Sequence, residues 1–197
     1  MTEIRSFIAV PVDEAILVRL SALQQQLRQA GAPVSWTRPA GMHLTLKFLG
    51  NISEALIPRL GETLQPVAAR WAPFTVSVVG TGGFPTLQRP RVVWAGIRQG
   101  KDALAALAAE VDAAVNTLGF PPETRPYNPH LTLGRVKEPK KLERLITLLQ
   151  SHDGDYFGEM TAGELILFRS ELSPKGARYT PLHRLTLSGN GEHPTTE

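Results

Sequence analysis

The chain has no cysteine. Disulfides, thiolate zinc sites and a cysteine nucleophile are therefore excluded. No apolar run approaches the length of a membrane span. The first residues, MTEIRSFIAVPVDEA, meet acidic side chains too early for a secretory signal peptide, so cytoplasmic residence is the expectation. No run of Lys and Arg reads as a nucleic-acid tail, and Lys137, Lys140, Lys141 and Arg144 read as a solvated helix face. What remains is ordinary for a soluble globular protein: 42% apolar residues, 20% charged, net charge +3 and pI near 9.4. The mild basicity suits an anionic ligand but does not identify one. At 197 residues the chain can form one domain with a real core, or two small lobes.

Against this plain background one phrase is written twice. TRPAGMHLTL, residues 37–46, returns as TRPYNPHLTL, residues 124–133, with seven of ten positions identical. The surroundings repeat as well. Residues 5–10, 74–80, 91–97 and 165–168 read as strands, with another near 178–187. Helices are predicted from an Asp13 cap to Ala30, within 53–70 after Ser53, over 102–118 and over 140–150. Pro58 and Pro66 blur the second of these. Each half thus runs strand, helix, motif strand, helix, strand. The expected fold is α+β and bilobal. Two pseudo-two-fold related lobes, each a mainly antiparallel sheet with helices outside, would flank a central cleft. Residues 1–188 form a single domain on this reading, with an internal repeat over roughly 5–80 and 91–168, and 189–197 as a flexible tail.

Alternation along a strand puts His43 and Thr45 on one face and Leu44 and Leu46 on the other; His130 and Thr132 repeat this. An imidazole and a hydroxyl then stand about 7 Å apart along each strand. A lone His-x-Thr is ordinarily an exposed polar face. Packing explains the duplicated leucines, but not why both the histidine and the threonine recur. Two imidazoles and two hydroxyls suit the opening of a cyclic phosphodiester by water. One histidine takes a proton from water and the other gives one to the leaving sugar oxygen. The threonines donate to the oxygens that gain charge. The unperturbed histidine pKa, about 6.5, allows one neutral and one protonated copy near neutral pH.

HLTLKFLG and HLTLGRV resemble the paired His-x-Thr-x signatures of the 2H phosphoesterase superfamily. The flanking RSFIAV, GGFPTLQRPRVVWAGI, PHLTLGRV and FRSELSPKGARYTPL are similar to the bacterial RNA 2′,3′-cyclic phosphodiesterase branch, also called 2′-5′ RNA ligase. The resemblance implies a bilobal fold with both histidines in a central cleft. It implies hydrolysis of RNA or nucleotide 2′,3′-cyclic phosphates to 2′-phosphates, and reversible 2′-5′ ligation of tRNA halves in some members. It also implies His43 as general acid and His130 as general base, roles that the residues alone leave open. The family pattern places an arginine five residues after the second histidine, here Arg135, as a phosphate clamp. Strict alternation puts Arg135 on the face opposite His130, and Gly134 marks a bulge site that would relieve this.

The equivalent position in the first copy is Phe48, which could stack on a base but by phase belongs in the core. Lys47 shares the His43 face by alternation. Arg125 and, less so, Arg38 could reach an anion from the loops. Tyr127 is the best placed aromatic; Trp36, Trp94, Tyr156 and Tyr179 read as core. Substrate contacts are thus expected from Thr45, Thr132, Arg135, Arg125, Tyr127 and Phe48. No metal or cofactor is signalled. GTGGFP, 80–85, lacks the features of a triphosphate loop. His152, His183 and His193 read as structural or as part of the tail. RNA with 2′,3′-cyclic ends or cyclic nucleotides are the expected partners, with no membrane, no protein partner and a monomeric chain. The alternatives are a non-catalytic module binding RNA ends or nucleotides, and a phosphodiesterase for another cyclic or 2′-5′ linked substrate.

Overall fold

The computed structural model describes residues 2–173 and 176–190. His193 and the tail from residue 191 lie outside them. Nine strands and four α-helices occur among the described residues: β1 (Glu3–Val10), α1 (Glu14–Arg28), β2 (Val34–Trp36), β3 (Leu44–Ser53), α2 (Ile57–Arg70), β4 (Phe74–Phe84), β5 (Val92–Ile97), α3 (Lys101–Asn116), β6 (His130–Val136), α4 (Glu143–Ser151), β7 (Tyr156–Ala162), β8 (Glu164–Ser173) and β9 (Gly176–Thr186). They build a four-stranded sheet, β3-β1-β8-β9, and a five-stranded sheet, β2-β6-β5-β4-β7. Every pairing is antiparallel. The expected α+β class is the observed one.

The two lobes are not the two halves of the sequence. β1 and β3 pair beside β8, whereas β5 and β6 pair beside β4. Each half therefore sends two strands into the sheet of the other, β2 and β4 from the first and β8 and β9 from the second. The helices cross over in the same way: α1 packs on β7 and α3 packs on β3. One main hydrophobic core results, drawing on both sheets and all four helices, with Ile16, Leu20, Leu60, Leu64, Leu104, Leu107, Leu145 and Leu149 at most 1% exposed. A smaller cluster, Phe7, Ala9, Ile166 and Phe168 with Tyr179 against it, covers the other face of the four-stranded sheet.

Local chemistry explains most boundaries and a few differences. The helical spacing of Leu104, Leu107, Val111 and Val115 matches the buried stripe of α3. Asp13 and Ser53 precede helical turns but make no side-chain cap bond; the Asp13 carbonyl receives the first-turn amides instead. Pro66 lies inside α2, where its ring is exposed. β2 and β7 were not expected. β2 has only three residues, and β7 reads YFGEMTA, with a glycine breaking its pattern. The strand expected over 74–80 runs on through GTGGFP, because β4 continues to Phe84.

The glycines there have a packing role. Gly82 pairs with Trp94, and a Cβ on Gly82 would overlap the indole ring. The Trp94 ring thus lies across the bare backbone of the neighbouring strand. Gly82→Ala is expected to cost about 1–3 kcal/mol, as overpacking does in a rigid site. A fall in the urea midpoint at unchanged m-value checks this.

Candidate active site

Each motif strand carries an extra residue just after its threonine, and β3 carries a second at Leu49. In β3, Thr45 faces Ala9 and Lys47 faces Ile8, so Leu46 has no opposite residue on β1. In β6, Thr132 faces Trp94 and Gly134 faces Val93, so Leu133 is the unmatched one. These are β-bulges, and each advances the alternation by one residue. After the bulge, Arg135 rejoins the face of His130 and Thr132, and Phe48 rejoins that of His43 and Thr45. The bulge anticipated near Gly134 therefore lies one residue earlier, at Leu133.

The same shift corrects two readings made from strict alternation. Phe48 is not core: it is 64% exposed and lines the cleft. Lys47 does not share the His43 face: it is 8% exposed, pairs with Asp112 of α3 and donates to the Pro121 carbonyl at 2.8 Å. Asp112 also accepts the Glu123 amide, so Lys47 helps tether the loop that leads to His130. The bulge in β6 has its own support. Gln24, buried in α1, donates to the Leu133 carbonyl at 2.7 Å and the Thr37 carbonyl at 2.8 Å, while the Thr37 amide also reaches Leu133.

A cleft of about 550 Å³ lies between the sheets. His43, Thr45 and Phe48 line it from one side, and Thr132 and Arg135 from the other. His130 is on the same face of β6 as Thr132, two residues away, but is not itself among the lining residues. Three arginines, Arg5, Arg38 and Arg135, line the cleft, and no acidic residue does among the described residues. None of the three makes an ion pair among the described residues. The result is a positive cleft able to attract an anion.

Trp36 and Tyr179, read from the sequence as core, line the cleft as well. Arg125 and Tyr127 do not. Arg125 is exposed in the loop, and its amide bonds the Glu123 side chain. Tyr127 packs against the main core with its hydroxyl buried and unpaired, which raises its pKa. Arg5 and Arg38 carried little signal, since both sit in segments that read simply as a strand and its approach. Among the described residues no group of three or more His, Asp or Glu side chains could hold a metal ion. His152 pairs with Asp155 at 2.7 Å, and His183 lies against Gly61 of α2. Both are away from the cleft.

The two imidazoles have matching environments. Phe168 of β8 packs on His43 with ring centroids 4.5 Å apart, and Phe84 of β4 packs on His130 at 4.9 Å. The two phenylalanines come from the exchanged strands and hold equivalent positions: Phe168 faces Phe7 beside Phe48, and Phe84 faces Val92 beside Arg135. His130 Nδ1 donates to the Asn128 carbonyl at 2.7 Å, which leaves Nε2 as its reactive nitrogen. His43 Nδ1 is buried without a full hydrogen bond, although the Gly41 backbone draws on it weakly. Burial lowers the His43 pKa to about 4, with Gly41 opposing the shift. The His130 pKa is also lowered by burial, opposed by Asn128 and assisted by the Arg135 charge. In the absence of an anion both rings are neutral at pH 7.

Two predictions follow from this geometry. Gln24→Leu removes the donor that ties Leu133 to Thr37, and should cost about 1–3 kcal/mol in denaturant unfolding. For His43 the unfolded chain binds a proton at a higher pH than the folded one. Its contribution to stability is then complete above about pH 6.5 and falls away toward pH 4. His43→Gln should flatten the loss of stability over that window, measured as unfolding free energy against pH. NMR titration of the wild type should place the His43 midpoint near 4 without ligand.

Comparison with known proteins agrees with this geometry. The sequence profile of the 2′-5′ RNA ligase superfamily matches residues 12–174. The RNA 2′,3′-cyclic phosphodiesterase of Methanothermobacter thermautotrophicus is 36% identical over 91% of this chain and 97% of its own. Its namesake from Thermotoga maritima is 33% identical over 94% and 96%. Among solved structures, a Thermus thermophilus protein superposes with a TM-score of 0.78 at 32% identity, covering 94% of this chain and 98% of its own. E. coli LigT complexed with 3′-AMP gives a TM-score of 0.74 at 27% identity, covering 95% and 99%. By sequence and by fold, this chain belongs to the 2′-5′ RNA ligase superfamily.

Proposed function

We propose that the protein hydrolyses 2′,3′-cyclic phosphates at RNA or nucleotide ends to 2′-phosphates. The observation that carries this reading is the cleft itself: one His-Thr face, the threonine and arginine of its duplicate, and two further arginines, with no carboxylate among the described residues. Relatives named RNA 2′,3′-cyclic phosphodiesterase support it. The catalytic unit is one chain, because both copies of the motif come from one polypeptide.

In the reaction, His130 Nε2 takes a proton from water as the water oxygen bonds to phosphorus. The bond from phosphorus to the 3′ oxygen breaks. His43 gives its Nε2 proton to that oxygen, leaving a 2′-phosphate and a 3′-hydroxyl. Thr45 and Thr132 donate to the non-bridging oxygens, and Arg135 pairs with them, where charge grows in the transition state. The acid must be protonated, and burial works against that. The phosphate resolves the conflict: an anion beside His43 raises its pKa again. The substrate thereby charges its own acid. With a 5′-hydroxyl end in place of water, the same site performs 2′-5′ ligation: the hydroxyl oxygen bonds to phosphorus and gives its proton to His130 as the bond to the 3′ oxygen breaks and that oxygen takes the His43 proton. Cleavage of the 2′-5′ linkage back to the cyclic phosphate exchanges the histidine roles.

His43→Ala and His130→Ala are each expected to lower kcat on a 2′,3′-cyclic nucleotide by about 10²–10⁴-fold. The wild type should show a bell-shaped pH profile, unchanged turnover in EDTA and a 2′-phosphate product by NMR. Near-wild-type turnover in either variant refutes the mechanism. Tight binding of cyclic-ended RNA by the wild type with no cleavage would establish a binding module instead.

A further inference from the structure

We propose that Lys47 and Asp112 are positioning residues for His130: together they hold the loop whose Asn128 carbonyl fixes the tautomer of that ring. This rests on the phosphodiesterase reading above and adds to it two residues that do not line the cleft.

Residues 117–129 join α3 to β6 and lead directly into His130. Pro121, Pro122, Pro126 and Pro129 have no amide hydrogen to give. Residues 121–129 make no backbone–backbone hydrogen bond among the described residues. Glu123 turns its carboxylate back onto its own neighbours, the Thr124 and Arg125 amides. Tyr127 packs against the core. Polar anchorage comes from two side chains outside the segment. Lys47 donates to the Pro121 carbonyl at 2.8 Å, and Asp112 accepts the Glu123 amide at 3.1 Å. Lys47 and Asp112 also pair with each other, so β3, α3 and the loop meet at one point. At the far end of the loop the Asn128 carbonyl accepts from His130 Nδ1 at 2.7 Å. That bond selects the tautomer whose Nε2 is free to take a proton.

The first motif is approached differently. Its loop contains β2, which pairs with β6, and the turn Pro39–Gly41, closed by backbone bonds. Gln24 of α1 adds the tie from Thr37 to Leu133. The two ties cross: α1 links the approach of the first motif to the strand of the second, and α3 links the approach of the second to the strand of the first. Lys47 and Gly134 hold equivalent places, two residues after each threonine. The long side chain stands in the copy that serves the loop without backbone support.

Stability does not account for the pair. Lys47 is 8% exposed and Asp112 19%, and the cost of desolvating such charges cancels much of their attraction. Two apolar side chains of similar volume would fill the same space. They would not supply a donor for Pro121 or an acceptor for Glu123.

The test is the double variant Lys47→Met/Asp112→Leu. Its urea midpoint should stay near the wild-type value, while kcat for a 2′,3′-cyclic nucleotide falls about 10- to 100-fold with KM little changed. Ring-nitrogen NMR should show His130 losing its single Nδ1–H tautomer. Its titration should move to lower pH, because burial lowers the His130 pKa, the Asn128 bond opposes this and the Arg135 charge adds to it. Phe84, packed on the ring from β4, carries no charge. The His43 midpoint should stay near 4. Asp112→Asn keeps an acceptor for the Glu123 amide and should retain most of kcat. If the double variant does not fold, Lys47→Met alone, which leaves Asp112 open to water, carries the same expectations. Wild-type kcat and an unchanged His130 tautomer in a folded variant overturn this proposal and leave the phosphodiesterase standing. So does a loss of kcat with equal shifts at both histidines, the mark of general loosening. A wild type that turns over no cyclic phosphate overturns the phosphodiesterase reading, and with it the catalytic role given to His130.

Discussion

A strand that alternates strictly cannot show His43, Thr45 and Phe48, or His130, Thr132 and Arg135, on one face. The spacing is two residues and then three. The constraint is met by an unmatched leucine directly after the threonine of each motif, Leu46 and Leu133. Everything at the site depends on that phase change. It turns Arg135 toward the cleft, and it turns Lys47 the other way, into a buried pair with Asp112. A bulge leaves backbone groups out of the ladder. The Leu133 carbonyl is accordingly held by Gln24 and by the Thr37 amide. Thr37 belongs to the loop approaching the first motif, so the bulge of one copy is anchored to the approach of the other.

The exchange of strands between lobes matters for the electrostatics. Each histidine is covered by a phenylalanine that the opposite half of the chain supplies, Phe168 for His43 and Phe84 for His130. Removing water from an imidazole disfavours its charged form. Burial therefore favours the neutral form of both rings, beside a cleft that already holds three arginines. Neutral imidazoles avoid repulsion from those guanidinium groups until an anion enters. The same anion that neutralises the arginines then makes protonation of one ring favourable.

The duplicated scaffold is symmetric where packing rules it and asymmetric where it faces the cleft. Behind the strands, leucines repeat because both copies face one core. At the post-bulge position the copies diverge into Phe48 and Arg135. On the β1 and β5 sides, Ala9 beside Ile166 answers Trp94 beside Gly82. Small and large residues have changed places, with the pairing register kept.

Much of this was legible in the chain itself. The repeat, the α+β class, the four helices and the His-Thr faces all follow from short-range periodicity, because backbone geometry fixes which neighbours share a face. Three-residue β2 and glycine-broken β7 carry too little pattern to be seen. The orientations of Lys47 and Phe48 were misread because a bulge obeys the register of the partner strand, which is not written in the strand that bulges. Arg5, Arg38, Trp36 and Tyr179 came to the cleft only through packing, and Arg125 and Tyr127, nearer to His130 in sequence, did not. Sequence alone determined which side chains share each His-Thr face, because local alternation needs only the chain's own neighbours. Tertiary structure decided what surrounds them, because long-range strand pairing sets register, burial and charge together.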